Sequence, residues 1–145
     1  VSGCPRNCAE ATIKDFGIIG VDSGWEIHVA GNGGIKVRVT DFLCKVKTDE
    51  ELFEMVKAYM QFYREDAYYL ERTAHWIERV GLEYVKEVLF DEEKRKMYAA
   101  SFDISQKSAQ VDPWAKAIED GFTKEFSPIV IDPNDSHSFE AKEQI

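Results

Sequence analysis

Two runs of alternating apolar and polar residues, followed by a helical stripe, narrow the folds open to this chain. In the first run Trp25, Ile27 and Val29 alternate with Glu26 and His28. In the second, Ile35, Val37 and Val39 alternate with Lys36, Arg38 and Thr40. Period-two alternation marks a half-buried strand, so the pair predicts an antiparallel hairpin at about residues 25–40. Parity sharpens the expectation. A two-residue loop at Asn32-Gly33 would set Val29 opposite Lys36, an apolar face against a polar one. An odd loop of three or five residues, with a glycine in the left-handed region, pairs Val29 with Ile35 and Ile27 with Val37. It also sets Glu26 opposite Arg38, a favourable cross-strand pair.

Downstream the period changes. Thr48-Asp49-Glu50-Glu51 reads as a capping box, with Thr48 as N-cap and Glu51 reaching back. Leu52, Phe53, Val56, Tyr59, Met60 and Tyr63 then fall on one helical stripe. A second helix is expected from about Ala67 to Val80, using Leu70, Ala74 and Ile77. Gly81 breaks it, and Leu82, Val85, Val88 and Leu89 make a third. Asp91 would cap a fourth, running from Glu92 to about Ser101, and a weaker helical signal lies around Trp114 to Phe122. The tyrosines and tryptophan of these helices (Tyr59, Tyr63, Tyr68, Tyr69, Trp76) read as packing against the sheet. The fold class is α+β: a small antiparallel sheet packed by several helices.

The composition bounds the rest. The chain has 145 residues, 44% of them hydrophobic and 31% charged, as in ordinary soluble domains. Its formal net charge of −9 argues against nucleic acid, which needs a basic face. No apolar run approaches the roughly 18 residues of a membrane span. Three cysteines, an odd number, do not make a disulfide framework, so a reducing, cytoplasmic setting fits best. The glycine-rich stretch at residues 31–34 lacks the strand–GxGxxG–helix context of a dinucleotide site and reads as a turn.

The chemistry-bearing feature is Gly3-Cys4-Pro5-Arg6-Asn7-Cys8-Ala9-Glu10-Ala11. Two thiolates at Cys-x3-Cys spacing are half a ligand set, because an iron–sulfur cluster or a structural zinc takes four. Pro5 suits the first position of a helix. Cys4 would then be its N-cap, and the helix would run to about Asp15 and stop at Gly17. Its positive end would favour thiolates and an anionic cluster. Cys44 lies in the apolar run Phe42-Leu43-Cys44 and reads as a small buried hydrophobe. A zinc site from Cys4, Cys8 and a histidine is open on paper. However, His28 reads as surface on the hairpin's polar face beside Lys36 or Arg38, and neither His75 nor His137 has a metal-spaced partner. No Met precedes Val1, and half a ligand set is what a C-terminal piece of a longer metalloprotein would carry.

The cysteine segment resembles the second cysteine pair of the sirohaem-containing nitrite and sulfite reductases, which bind a 4Fe-4S cluster through a Cys-x5-Cys pair and a later Cys-x3-Cys pair. Residues 22–29 (Asp-Ser-Gly-Trp-Glu-Ile-His-Val), 31–39 (Gly-Asn-Gly-Gly-Ile-Lys-Val-Arg-Val), 43–48 (Leu-Cys-Lys-Val-Lys-Thr) and 71–82 (Glu-Arg-Thr-Ala-His-Trp-Ile-Glu-Arg-Val-Gly-Leu) are similar to the large subunits of the NAD(P)H-dependent nitrite reductases in that family. The resemblance implies that Cys4 and Cys8 ligate the cluster, with Cys8 also the proximal ligand of the sirohaem iron. Arg6 and Asn7 would lie on the turn facing the cofactors, Arg6 being the better match to sirohaem carboxylates. It implies six-electron reduction of nitrite to ammonia. Electrons would come from NAD(P)H through FAD, both bound in an upstream part that this sequence lacks. A small ferredoxin-like (Rieske-type) subunit is the partner it admits. The first cysteine pair and the substrate-binding basic residues are absent here, so no catalytic residue is assigned, and the fragment by itself should be inactive. Residues 1–131 would form the C-terminal part of the sirohaem/4Fe-4S domain, and the polar residues 132–145 a disordered tail. Competing readings are a sirohaem sulfite reductase, or a non-catalytic metal-binding or interaction module.

Overall fold

The computed structural model describes residues 1–121. Residues Val1–Ser108 form one compact unit, and a second begins at Ala109. Three strands, β1 (Phe16–Val21), β2 (Gly24–Val29) and β3 (Asp41–Val46), make an antiparallel meander in the order β1-β2-β3. Then come helices α1 (Asp49–Asp66), α2 (Thr73–Val80), α3 (Leu82–Phe90), α4 (Glu92–Ala109) and α5 (Pro113–Glu119). The α+β expectation holds. Among the described residues no helix is long and apolar enough to cross a membrane. The expected tail at residues 132–145, and the domain boundary before it, lie outside the described residues.

The sheet is built from a different pairing than the alternation predicts. β2 pairs with β1, which sets Ile27 opposite Ile18 and Val29 opposite Phe16 across a tight turn at Asp22-Ser23. On its other side β2 pairs with β3, with Trp25 opposite Val46 and Ile27 opposite Cys44. The register slips after Ile27, so that His28 faces Phe42 and Leu43 is left over in the ladder. Leu43 goes into the core, which is how a bulge re-aims a side chain. Residues 35–39 are not a strand. Only an isolated bridge joins Asn32 to Arg38, and Ile35, Val37 and Val39 are exposed. Both edges of β2 are occupied, one by Phe16–Val21 and the other by Asp41–Val46, which leaves residues 35–39 in the connection to β3. Glu26 consequently faces Ile19 and Lys45, not Arg38. No glycine of the 31–34 turn takes a left-handed conformation; Ala30 does, at φ 63°.

Arg38 organises that loop. Its guanidinium donates to the Ala30 carbonyl at 2.6 Å, to Asp41 Oδ2 at 2.8 Å and to Glu78 Oε1 at 3.2 Å. One arginine thus ties the loop to β3 and to α2.

The helices follow their sequence signals more closely. Glu51 N donates to Thr48 Oγ1 while the Glu51 carboxylate accepts from Thr48 N, closing the capping box at the head of α1. α1 buries Leu52, Met55, Tyr59 and Phe62; of the expected stripe, Phe53 is exposed. α2 starts at Thr73, later than expected, because residues 67–72 form a loop in which Leu70 sits at φ 62°. Tyr68, Tyr69 and Leu70 are exposed and are not core. α4 is longer than expected, and Asp91 Oδ1 caps it by accepting from Glu93 N and Lys94 N.

The core sits between the sheet and α1–α4, with Ile27, Val29, Leu43, Tyr59, Phe62, Trp76, Val85 and Leu89 at its centre. Trp76 is fully buried, and the rings of Tyr59, Phe62 and Tyr63 pack on it at 5.8, 5.2 and 5.4 Å between centroids. Its indole N–H donates to Asp66 Oδ2 at 2.6 Å, which removes the penalty of burying that polar tip.

Candidate metal centre

The segment carrying Cys4 and Cys8 is a loop, not the proline-started helix its sequence predicts. Only a short 3₁₀ turn forms, at Ala11–Ile13. Asn7 and Glu10 both take left-handed conformations, at φ 53° and 55°, and an α-helix cannot run through them. Cys4 is therefore not an N-cap, and no helix dipole acts on the thiols.

The loop is held at its start by β1 and at its far end by the residues that follow β2 and precede β3. Ser2 pairs with the edge of the sheet: Ser2 N donates to the Ile18 carbonyl and Gly20 N to the Ser2 carbonyl, both at 2.8 Å. At the far end Asp15 O accepts from Ala30 N at 3.0 Å, and Thr12 O accepts from Thr40 N at 2.8 Å. Two glycines of β1 make this close approach feasible. A Cβ on Gly20 would lie 2.8 Å from the Gly3 carbonyl oxygen, and one on Gly17 would lie 2.1 Å from that of Ala11. Glycine inside a strand often marks a site where another backbone comes near.

Inside the loop the Asn7 amide is engaged on both sides. Its Oδ1 accepts from Ser2 Oγ at 3.0 Å and from Ala11 N at 2.8 Å, and its Nδ2 donates to Thr12 Oγ1 at 2.8 Å. Asp15 ties the loop's exit to α2 by accepting from Thr73 Oγ1 at 2.7 Å and from the Arg72 guanidinium. Burial pushes the Asp15 carboxyl up, but hydrogen bonds from Arg72 and Thr73 outweigh this and hold it below the usual carboxylate range.

Against this frame both thiols face solvent: Cys4 and Cys8 are exposed, as is Arg6 between them. A groove of about 320 Å³ opens beside Cys4, between Pro5 and Trp25. Among the described residues no three His, Cys, Asp or Glu side chains come together as a metal site. Two exposed thiols on one anchored loop therefore fit a four-thiolate cluster as half of its ligands and do not complete one. Cys44 stands apart from them. It is partly buried, and desolvation pushes its thiol up to about 11, which suits a structural role.

The histidines add no ligand. His28 is not the surface residue expected. Its side chain is 15% exposed, it packs edge-on against Phe42 at 5.6 Å, and its Nδ1 lies 3.4 Å from Thr40 Oγ1. His75 lies beside Glu78 at 3.4 Å, and His137 is outside the described residues. Reading from sequence also misses Ser2, Thr12 and Asp15, the side chains that fix the loop. The glycines at 17 and 20 were the available signal.

An α+β unit with two solvent-facing thiols on one anchored loop falls in the class of domains that can lend thiolates to a metal cluster. The family model of the nitrite and sulphite reductase 4Fe-4S domain matches residues 1–97, and the chain belongs to that family. It is 53% identical over 120 residues to the nitrite reductase [NAD(P)H] of Bacillus subtilis (strain 168), covering 83% of this chain and 15% of that one. It is 44% identical over 94 residues to the nitrite reductase (NADH) large subunit of Escherichia coli (strain K12), covering 63% of this chain and 11% of the relative. A more distant match, 30% identical over 89 residues, is the assimilatory-type sulfite reductase of Nitratidesulfovibrio vulgaris, covering 61% of this chain and 41% of the relative. The chain thus spans less than half the length of each of these relatives.

Proposed function

We propose that this chain is part of an NAD(P)H-dependent nitrite reductase large subunit. The observation that carries the reading is the pair of exposed thiols on one anchored loop, in a chain 53% identical to a protein so named. Cys4 and Cys8 would hold a 4Fe-4S cluster as two of its four thiolates, and Cys8 would also hold the sirohaem. Arg6, exposed between them, offers a planar fork that suits sirohaem carboxylates. The Asn7 amide is held by its own loop, which leaves the carboxylates to Arg6. When bound, the cluster and sirohaem would relay electrons from NAD(P)H and supply the iron centre at which nitrite is reduced to ammonia. Sulfur donors suit this job because thiolates bind iron–sulfur clusters directly. The second pair of thiolates, the FAD and NAD(P)H sites and the groups that bind nitrite belong to other parts of the complete polypeptide. A small ferredoxin-like (Rieske-type) subunit is a proposed partner. Three free thiols point to a reducing, cytoplasmic setting.

The test is to purify the complete gene product without oxygen and assay iron, acid-labile sulfide and sirohaem absorption. NAD(P)H oxidation dependent on nitrite, with ammonia as product, is the expected result, and Cys8→Ser should abolish it with loss of sirohaem. Absence of both iron and sulfide would overturn the reading. The similarity to a sulfite reductase supports a second reading. It prevails if sulfite is the better substrate and no flavin co-purifies.

A further inference from the structure

We propose that Asn7 is the positioning residue of the thiol pair, setting the relation of Cys4 to Cys8 before any cluster arrives. The inference rests on reading those cysteines as cluster ligands. Three observations carry it. Asn7 turns the chain between the two cysteines at φ 53°, a conformation that asparagine takes more readily than other side-chain-bearing residues. Its one amide joins the residues before Cys4 to those after Cys8, through Ser2 Oγ, Ala11 N and Thr12 Oγ1. The groups it grips are themselves fixed. Ser2 is 4% exposed and paired to β1, while the Thr12 carbonyl accepts from Thr40 N at the entry to β3. The brace therefore runs from one edge of the sheet to the other, while the sulfurs it spaces stay in solvent. A side chain that holds ligands in place acts on metal affinity as an outer-shell partner does.

The chemistry of the amide makes the variants informative. Asn7→Gly keeps the left-handed turn and deletes the brace. Asn7→Asp keeps an oxygen for Ser2 and Ala11 and replaces the donor, and Thr12 can answer by donating its own hydroxyl proton. Thr12→Val removes only the acceptor of Nδ2.

The experiment uses the complete gene product, purified without oxygen. It measures iron and sulfide per chain, the rate of iron loss to a ferrous chelator, and the paramagnetic resonance spectrum of the reduced cluster. Asn7→Gly should fold with an unchanged circular dichroism spectrum, lose iron about 10-fold faster, the scale on which outer-shell partners act, and show shifted g-values. Asn7→Asp should recover most of the retention. If Asn7→Gly does not fold, Thr12→Val carries the comparison, with the same direction expected and a smaller change. Wild-type iron retention and an unshifted spectrum in the variant that folds would overturn the proposal while leaving the cluster reading intact. A wild-type protein without iron and sulfide would overturn both.

Discussion

At the scale of single residues, the three cysteines divide by solvent access. Cys4 and Cys8 are exposed, whereas desolvation raises the Cys44 thiol to about 11, and only the thiolate reacts. Iodoacetamide at mildly alkaline pH should therefore modify Cys4 and Cys8 quickly in the metal-free chain and Cys44 only after unfolding. Three equal rates would contradict the fold around β3. Asp15 gives a second prediction. Asp15→Asn removes the charge that faces Arg72 and Thr73 and should cost about 1 kcal/mol, the size of one cap-like hydrogen bond at a partly exposed site. The folded carboxyl titrates below its unfolded value, so its contribution is complete above the unfolded pKa and fades as pH falls through the folded one. Denaturation of wild type and variant should differ by a constant amount between about pH 5 and 7, and the gap should close below about pH 4. A gap that widened in acid would refute the assignment.

At the scale of elements, helices were legible and the strand partners were not. The capping box at Thr48, the break at Gly81 and the cap at Asp91 are local chemistry, complete within a few residues, and the structure honours each. The strand at residues 35–39 and the helix after Pro5 were also locally reasonable, and both lost to partners elsewhere in the chain. β2 found β1 across a tight turn, and the cysteine segment was drawn onto the edge of β1. That docking depends on glycine. Gly20→Ala would place a Cβ 2.8 Å from the Gly3 carbonyl oxygen. It should cost about 1–3 kcal/mol, the usual range for overpacking, and should loosen the cysteine loop, seen as a lower melting temperature with faster iron loss. Alanine tolerated there without either effect would mean that the loop does not dock on β1.

For the molecule as a whole, stability should concentrate where α1 and α2 share Trp76. The ring is fully buried among Tyr59, Phe62 and Tyr63, so Trp76→Ala should cost about 3–5 kcal/mol, measured by urea denaturation. Trp76→Phe should cost less, though it removes one donor from Asp66, which the Arg79 guanidinium also faces at 3.7 Å. Equal losses for the two would place the weight on the hydrogen bond and not on the packing. By itself the sequence determined the α+β class, the starts of α1, α3 and α4 and the thiol pair, because periods, caps and ligand spacing are written in neighbouring residues. Only the tertiary structure decided which strands pair, that Cys4 and Cys8 ride on a loop, and that Ser2, Asn7, Thr12 and Asp15 hold it. Those outcomes turn on competition between neighbouring segments for the edges of β1 and β2, and on side chains whose hydrogen bonds exist only once the sheet is formed.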